Sequence, residues 1–281
     1  MERPRFGIGR AAHAAGRPTS RRGRDRGRGR ARGELLAAAL RSHTPARFGP
    51  NRRSRIRGVN GLEVARAILA KDLLLDLRTR DRLGHMAVFA LLVVAMLSIV
   101  VPASRPERLA WSPALLWVVM LFTSLLGLSR SFQSETEGGA FALLVQAPVD
   151  RGWVFLGKAC ANAVALIGAL LWTGLLFTIF LDVDWSGAWL AALGAGVLGA
   201  VGLAALGTLL SAMSVAVRFR EFLLPVLLFP LVLPVLVLAS SLTAAALAER
   251  AAPPLWWAVL ALYDWVFVLL GYFVFDYVLE D

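Results

Sequence analysis

Long parts of this 281-residue sequence contain no charged residue, and this absence is its most informative feature. A helix needs roughly 20 apolar residues to cross the bilayer hydrocarbon, and a charge at its centre costs about 2.5–3.5 kcal/mol on insertion scales. Five stretches contain no charged residue, and a sixth apolar segment, Ala251–Leu279, is interrupted only by Asp264 and Asp276. The sequence therefore predicts an all-α membrane protein with six transmembrane helices. The five stretches without Asp, Glu, Lys or Arg are Leu83–Ser104, Leu109–Ser129, Ala159–Leu181, Trp185–Val217 and Phe222–Ala248.

The sequence also lacks the residues and motifs on which many enzymes and metal proteins depend. Its single cysteine, Cys160, cannot form an intramolecular disulfide, and its three histidines (His13, His43 and His85) show no metal-ligand spacing. There is no G-x-x-x-x-G-K-[ST] motif, so the chain cannot hold ATP phosphates by itself. A nucleophile elbow and an H-E-x-x-H motif are absent as well. We therefore expect no catalytic residue, no metal site, no bound cofactor and no enzymatic activity.

The first 58 residues differ in kind from the rest, because they contain 17 arginines and only three acidic residues. Such an Arg/Gly-rich segment cannot bury enough apolar surface to fold. Two interpretations stay open: a disordered tail that adds positive charge on the cytoplasmic side, and a translation start assigned too early. Nucleic-acid binding ranks below both, because no aromatic residue interleaves the clustered arginines. The predicted domains are this tail, 1–58, and a transmembrane domain, 59–281.

The segment Leu62–Leu83 predicts a helix that precedes the first span. Its apolar residues recur at three- and four-residue spacing and therefore share one face, although Arg66 and Asp76 fall close to it. Such a helix suits the cytoplasmic membrane interface. The alternative is a plain extension of the first transmembrane helix. The residues of the predicted apolar face are Leu62, Ala65, Leu69, Leu73 and Leu77.

The placement of Lys and Arg predicts that both termini are cytoplasmic. Positive charges precede the first span and lie in or beside the second-to-third and fourth-to-fifth connections, whereas the third-to-fourth connection has none. Three arginines, Arg105, Arg108 and Arg250, fall on the opposite side. The residues assigned to the cytoplasmic side are Arg66, Lys71, Arg78, Arg80, Arg82, Arg130, Arg151, Lys158, Arg218 and Arg220.

The longest cytoplasmic connection, Arg130–Lys158, is a candidate for contact with a soluble partner. It begins with polar residues, turns at Gly138 and Gly139, and contains a short apolar helix-like stretch over Ala140–Gln146. Pro148 stops that stretch, and Asp150 can cap the helix of the third span. Two interpretations have equal weight: a short helix that receives force from a soluble motor, and a solvated loop whose apolar residues pack against the bundle.

The fifth span contains three prolines, Pro225, Pro230 and Pro234, so it should be kinked or broken and is a candidate hinge or pathway. Asp264 is the one acidic residue well inside an apolar run, and intramembrane acids are functional by default. A structural pair, with Arg250 or with water, is the favoured explanation, and a role in translocation is the alternative. In the fourth span, small residues recur every four positions from Ala192 to Ala204, which favours close packing inside the bundle over a substrate path or a dimer face.

Together these segments resemble the haem exporter protein B family (CcmB), the permease subunit of the cytochrome c maturation system. The resemblance covers residues 62–281 and excludes the Arg-rich tail. Its most specific part is the order E-x-E-x-G-G, then L-L-x-x-P-V-D-R-x-x-x-x-G-K, within Gly127–Asn162. The other matching segments are RAILAKDLLLDLRTRD (Arg66–Asp81) and REFLLPVLLFPLVLPVL (Arg220–Leu236).

The resemblance implies a six-helix permease of the type-2 ABC transporter fold, in which the helix before the first span is an interfacial elbow. It implies an inner-membrane location, a separate ABC ATPase subunit (CcmA-like), haem-handling membrane subunits (CcmC- and CcmD-like), a haem chaperone (CcmE-like) and a permease homodimer. Haem would enter as cargo and not as a bound cofactor. The coupling region would comprise Glu135, Glu137, Gly138, Gly139, Leu143, Leu144, Pro148, Asp150 and Arg151.

We thus expect a permease that couples ATP hydrolysis in another subunit to haem export or to haem-chaperone release during c-type cytochrome biogenesis. Two alternatives remain at this stage. One is a type-2 ABC exporter permease for a lipid or a drug. The other is a membrane scaffold that recruits haem-handling partners without transporting anything.

Overall fold

The computed structural model describes residues 60–101, 104–137, 150–215 and 220–278, and every regular element in these ranges is an α-helix. The helices are α1 (Gly61–Thr79), α2 (Asp81–Val100), α3 (Arg105–Glu137), α4 (Arg151–Leu181), α5 (Trp189–Val215), α6 (Arg220–Leu247) and α7 (Pro254–Val278). α1, the start of α4 and the end of α7 meet at one end of the bundle, which we call the α1 end. The opposite end is the far end.

Six of these helices are long and apolar enough to cross a membrane, which confirms the prediction of an all-α membrane protein with six transmembrane helices. Such a bundle satisfies its backbone hydrogen bonds within each helix, as a lipid environment requires. The spans are Asp81–Val100, Arg105–Ser129, Arg151–Leu181, Trp189–Met213, Leu228–Leu247 and Pro254–Phe275.

The helix before the first span is a separate element. α1 ends at Thr79, and Arg80 adopts a left-handed conformation (φ 57°) before α2 begins at Asp81. The predicted helix to Leu83 is therefore too long by four residues. A plain extension of the first span is also wrong, because the chain turns at Arg80.

α3 continues past the end of its apolar run. The apolar span ends at Ser129, but the helix extends to Glu137, about 12 Å farther at 1.5 Å per residue. Glu135 and Glu137 consequently lie on the last turns of a helix. Polar residues ended the predicted span correctly but did not end the helix, because charge determines where a helix leaves the membrane and does not prevent helical backbone.

α5 lies in the middle of the bundle and is packed through its small residues. The side chain of Leu170 on α4 fills the space beside Gly196, and the ring of Trp117 on α3 lies against Gly199. Ala200 and Ala204 are fully buried. The predicted small-residue face thus serves packing inside the bundle, as expected.

α6 runs without interruption from Arg220 to Leu247. Of the two outcomes expected from its prolines, a kink or a break, the break is therefore wrong. The hydroxyl of Tyr263 on α7 donates a hydrogen bond to the carbonyl of Leu231, next to the Pro230 carbonyl that Pro234 deprives of its helical donor. The neighbouring helix α7 thus donates a hydrogen bond to α6 beside the point where Pro234 removes a helical hydrogen bond.

Candidate functional site at the α1 end

α1 is held directly against the first turns of α4. A Cβ atom added to Gly157 would lie 2.8 Å from the carbonyl oxygen of Ala65 and 2.9 Å from Cβ of Ile68, so glycine is needed for this approach. One turn earlier on α4, the indole of Trp153 covers Gly61. A small apolar cluster joins α1, α4, α5 and α7 at this point, with Ile68, Phe155 and Phe275 buried in it. The backbone contact at Gly157 fixes the height of α1 on the bundle.

The buried face of α1 differs from the predicted apolar face. Ile68 and Asp76 are buried, whereas Leu62 and Leu77, at the two ends of the predicted stripe, are 50% and 64% exposed. Ile68, Asp72 and Asp76 are spaced by four residues and therefore project from one side of the helix. Polar partners on other helices determine which side of α1 faces the bundle. Ala65, Leu69 and Leu73 of the predicted stripe are half-buried at the border of that side.

Two ion pairs bind this face of α1 to the neighbouring helices. Lys158 on α4 is only 2% exposed, and its Nζ atom lies 3.5 Å from Oδ2 of Asp72. Arg82 on α2 places Nη2 3.1 Å from Oδ2 of Asp76, and both residues are 9% exposed. Burial raises the pKa of the Asp76 carboxyl above its ordinary value, and the attraction of Arg82 opposes that rise. Breaking such a buried pair is costly, because one charge is left without compensation.

The Arg82 side chain also continues the network into the centre of the bundle. Its Nη1 atom donates a hydrogen bond of 2.9 Å to Oδ1 of Asn162 on α4. The amide Nδ2 of Asn162 donates in turn to the hydroxyl of Thr208 on α5, at 2.8 Å. Asn162 and Thr208 are essentially inaccessible to solvent. Asp76, Arg82, Asn162 and Thr208 therefore form one chain of polar contacts across four helices, α1, α2, α4 and α5. We call this chain, together with the separate pair of Asp72 and Lys158, the elbow network.

The elbow network is not among the features predicted from the sequence. Arg82 and Lys158 enter that prediction only as charges that set the orientation of the chain in the membrane. A usable signal was present, because Lys158 and Asn162 are four residues apart and so share one face of an otherwise apolar helix. Two polar side chains on one face of a transmembrane helix indicate polar partners on its neighbours.

Asp150 caps α4, as predicted, and also ties it to α7. Its Oδ1 atom accepts a hydrogen bond of 3.0 Å from the backbone N–H of Gly152, and its Oδ2 atom accepts one of 2.8 Å from the hydroxyl of Tyr272. The Tyr272 ring lies where a Cβ atom of Gly152 would be and makes an edge contact with Trp153, with ring centroids 6.0 Å apart. The point at which the 138–149 segment joins the bundle is therefore fixed to both α4 and α7.

The other predicted coupling residues are described only in part. Glu135 and Glu137 lie on the last turns of α3, and Arg151 is the first residue of α4. Their assignment to a coupling surface stays a prediction. Gly138, Gly139, Leu143, Leu144 and Pro148 lie outside the described residues, as does the predicted tail.

The predicted hinge or pathway residues do not form one cluster with the elbow network. Asp264 is 4% exposed, and neither of its carboxylate oxygens has a hydrogen-bond partner among the described residues. The pairing with Arg250 is wrong, because Arg250 is exposed at the far end and Asp264 lies ten residues into α7, about 15 Å along the helix. Oδ1 of Asp264 instead abuts Gly202 on α5. Pro230 and Pro234 are exposed on α6, and the backbone alone is described at Pro225.

A cavity of about 310 Å³ lies in the far half of the bundle, between α3, α4, α5 and α6. Trp185, on the connection from α4 to α5, also borders it. Its wall is almost entirely apolar. The lining residues are Leu116, Trp117, Leu170, Leu171, Gly174, Leu175, Thr178, Trp185, Trp189, Ala192, Leu193, Gly196 and Thr243.

The chain is similar to known proteins over most of its length. The profile of a protein family described as CcmB protein matches residues 63–280, a range that includes all seven helices except the first two residues of α1. Heme exporter protein B from Rhodobacter capsulatus is 30% identical over 177 residues, which cover 63% of this chain and 81% of that protein. Heme exporter protein B from Haemophilus influenzae is 27% identical over 183 residues, which cover 64% of this chain and 80% of that protein.

Proposed function

Because the chain belongs to the CcmB protein family, we propose that it is the membrane-spanning permease subunit of a haem exporter. The resemblance inferred from the sequence is confirmed by the family match and by the two relatives. The observation that carries the proposal is the extent of the match, since it includes the six spans and nearly all of α1. The chain is then a component of a transporter, and ATP hydrolysis occurs in a separate subunit.

The α1 end is the proposed docking side for that ATPase. The described members of the predicted coupling region, Glu135, Glu137, Asp150 and Arg151, lie at this end together with α1. The excess of Lys and Arg there favours a cytoplasmic location under the positive-inside rule. Both termini would then be cytoplasmic, and the chain would lie in the inner membrane. Under this proposal the ATPase contacts the segment between Glu135 and Arg151 and moves it relative to the bundle.

Two structural connections support transmission of that movement. Asp150 receives hydrogen bonds from α4 and from Tyr272 on α7, so displacement of the preceding segment acts on two spans together. α1 is joined to α2, α4 and α5 through the elbow network, so a push on α1 reaches the centre of the bundle. Buried, paired charges resist separation, which favours movement of these helices as a unit. The exposed prolines of α6 remain the proposed hinge.

The further partners and the cargo follow from the family alone. We propose a permease homodimer with two ATPase copies, working beside haem-handling membrane subunits and a haem chaperone in c-type cytochrome biogenesis. Haem is the proposed cargo, with export or chaperone release as the ATP-driven step. A type-2 exporter for a lipid or drug and a non-transporting scaffold are the competing outcomes of the tests below.

Co-purification tests the docking side. The chain would be co-expressed with a CcmA-like ABC ATPase, and ATPase recovery and ATP hydrolysis would be measured for wild type and for Glu137→Lys combined with Gly139→Leu. We expect the double variant to insert normally and to lose the ATPase. Glu107→Lys is the matched control, because Glu107 lies in the first turn of the same helix at the far end. Unchanged recovery with the double variant would contradict docking at the α1 end.

A deletion strain tests the pathway. Loss of c-type cytochromes, restored by the wild-type chain, is expected if the cargo step belongs to haem handling. Normal cytochromes together with loss of drug or lipid export would favour the competing exporter. Restored cytochromes from a chain that cannot recruit any ATPase would favour the scaffold.

A further inference from the structure

We propose that the far-half cavity binds one acyl chain of a membrane phospholipid. The cavity passes from the outer surface of the bundle to its interior. Leu171, Leu175 and Trp189 border it and are 57%, 50% and 57% exposed, whereas Leu116 and Trp117 border it and are only 3% and 2% exposed. In a membrane-embedded bundle, the exposed residues of a span face hydrocarbon, so the cavity is continuous with the lipid phase.

The chemistry of the wall fits hydrocarbon. No charged residue is among its lining residues, and its polar side-chain groups are largely occupied by one another. The indole N–H of Trp117 donates to the hydroxyl of Thr243 at 3.1 Å, and that hydroxyl donates to the carbonyl of Ala239 at 2.7 Å. The indole N–H of Trp185 donates in the same way to the hydroxyl of Thr178 at 3.0 Å. A polar ligand would therefore lose its own hydrogen bonds in the cavity and gain few in return.

The dimensions fit a single chain in one leaflet. Along α4 the lining residues run from Leu170 to Thr178, about 12 Å at 1.5 Å per residue. Half of the bilayer hydrocarbon is about 15 Å thick. Trp185 and Trp189 lie at the outer limit of the cavity, and tryptophan is the residue that prefers the level of the lipid headgroups. The chain of a phospholipid in the far leaflet thus has the right depth to fill the cavity.

The same wall argues against haem as the occupant. The lining residues include no His, Cys, Met or Tyr that could bind iron and no Arg or Lys that could pair with a propionate. The proposed lipid site is therefore independent of the haem cargo, and it stands or falls separately from the proposed function.

Photolabelling tests the proposal. The full-length chain is reconstituted into vesicles of phosphatidylethanolamine and phosphatidylglycerol that contain a phospholipid with a diazirine in its acyl chain, irradiated, and mapped by mass spectrometry. We expect label on Leu116 and Trp117, which bulk lipid reaches only through the cavity. Met120, on the same helix and fully buried, is absent from the lining and should stay unlabelled. Label confined to the outward-facing Leu171 and Leu175 would overturn the proposal, whether detergent, a second copy or another subunit fills the space.

A pair of glycine substitutions on α4 provides a matched control. A Cβ atom at Gly174 or at Gly168 would meet no atom within 4 Å, but only Gly174 lines the cavity. Gly174→Leu should fill the cavity and abolish label on Leu116 and Trp117, whereas Gly168→Leu should leave it unchanged. Equal labelling in the two variants would also overturn the proposal. Should Gly174→Leu fail to fold, the wild-type map alone decides between the outcomes.

Discussion

Arg82 and Asn162, which are 80 positions apart in sequence, share a hydrogen bond of 2.9 Å inside the bundle. The guanidinium of Arg82 thereby has two buried partners, the carboxylate of Asp76 and the amide oxygen of Asn162. Each partner compensates part of the cost of holding a positive charge away from water. Because the amide N–H of Asn162 donates a hydrogen bond to the hydroxyl of Thr208, the position of Arg82 is linked to the central helix α5.

Replacing Asn162 with leucine should destabilise the protein. Leucine has nearly the same size but offers no acceptor to Arg82 and no donor to Thr208. We expect the free energy of unfolding to fall by about 1–3 kcal/mol, because a buried charged donor loses its acceptor. Denaturant unfolding in detergent micelles measures the change. Asn162→Asp is the control: it restores an acceptor for Arg82 and should be less destabilising, so equal losses in the two variants would contradict the argument.

The spans and the α4 cap were predictable because both depend on local sequence. A charge-free run of about 20 residues specifies a transmembrane helix without reference to any other segment. The Asp150 cap depends only on an acidic residue directly before a long apolar helix. Each of the six spans overlaps its predicted segment, and Asp150 caps α4.

The buried face of α1 was not predictable in the same way, since it depends on contacts between distant segments. The leucine spacing predicts an apolar stripe, but Asp72 is paired with Lys158, which lies 86 positions away. Gly157 permits the close approach that turns this side of α1 inward. The sequence of α1 carries no information about a glycine and a lysine on another helix. Periodicity alone therefore places the inward face too far towards the exposed leucines, although Ala65, Leu69 and Leu73 are half-buried.

Two glycines on α4 predict opposite effects of the same substitution. Gly168→Ala should raise the free energy of unfolding by about 0.5–1 kcal/mol, because alanine restricts the unfolded chain and no atom lies within 4 Å of the new Cβ. Gly157→Ala gains the same helix propensity but places its Cβ 2.8 Å from the Ala65 carbonyl oxygen, so α1 must move away. We expect net destabilisation at Gly157. Stabilisation by both substitutions would show that α1 is not held by this contact.

Asp76 and Asp184 predict pH dependences of opposite sign. Burial raises the native pKa of Asp76 above 3.8, so its contribution to the free energy of unfolding is present at low pH and is lost as the pH rises through the native pKa. Hydrogen bonds from the backbone N–H and hydroxyl of Ser186 lower the pKa of Asp184, so its contribution is present above 3.8 and is lost as the pH falls.

Unfolding curves of wild type, Asp76→Asn and Asp184→Asn across the acidic range measure these slopes. The difference between wild type and Asp76→Asn should decrease as the pH rises, and the difference for Asp184→Asn should increase. Only the sign is predicted for Asp184, which is fully exposed. Slopes of the same sign for both variants would contradict the burial of Asp76 on the inward side of α1.

Asp150 and Tyr272 should be energetically coupled, because one carboxylate serves both the α4 cap and the tie to α7. Asp150→Ala removes both contacts and should cost at least the roughly 1 kcal/mol of a lost helix cap. Tyr272→Phe removes only the hydroxyl and leaves the cap intact, so its loss should be smaller. In the double variant the hydroxyl is removed from a site where its acceptor is already gone. The double loss should therefore be smaller than the sum of the two single losses, and strictly additive losses in a double-mutant cycle would mean that the tie contributes nothing.

If the tie also transmits movement from the 138–149 segment, Tyr272→Phe should weaken the dependence of ATP hydrolysis on this chain while ATPase recovery stays normal, since Tyr272 lies behind the docking segment and not within it.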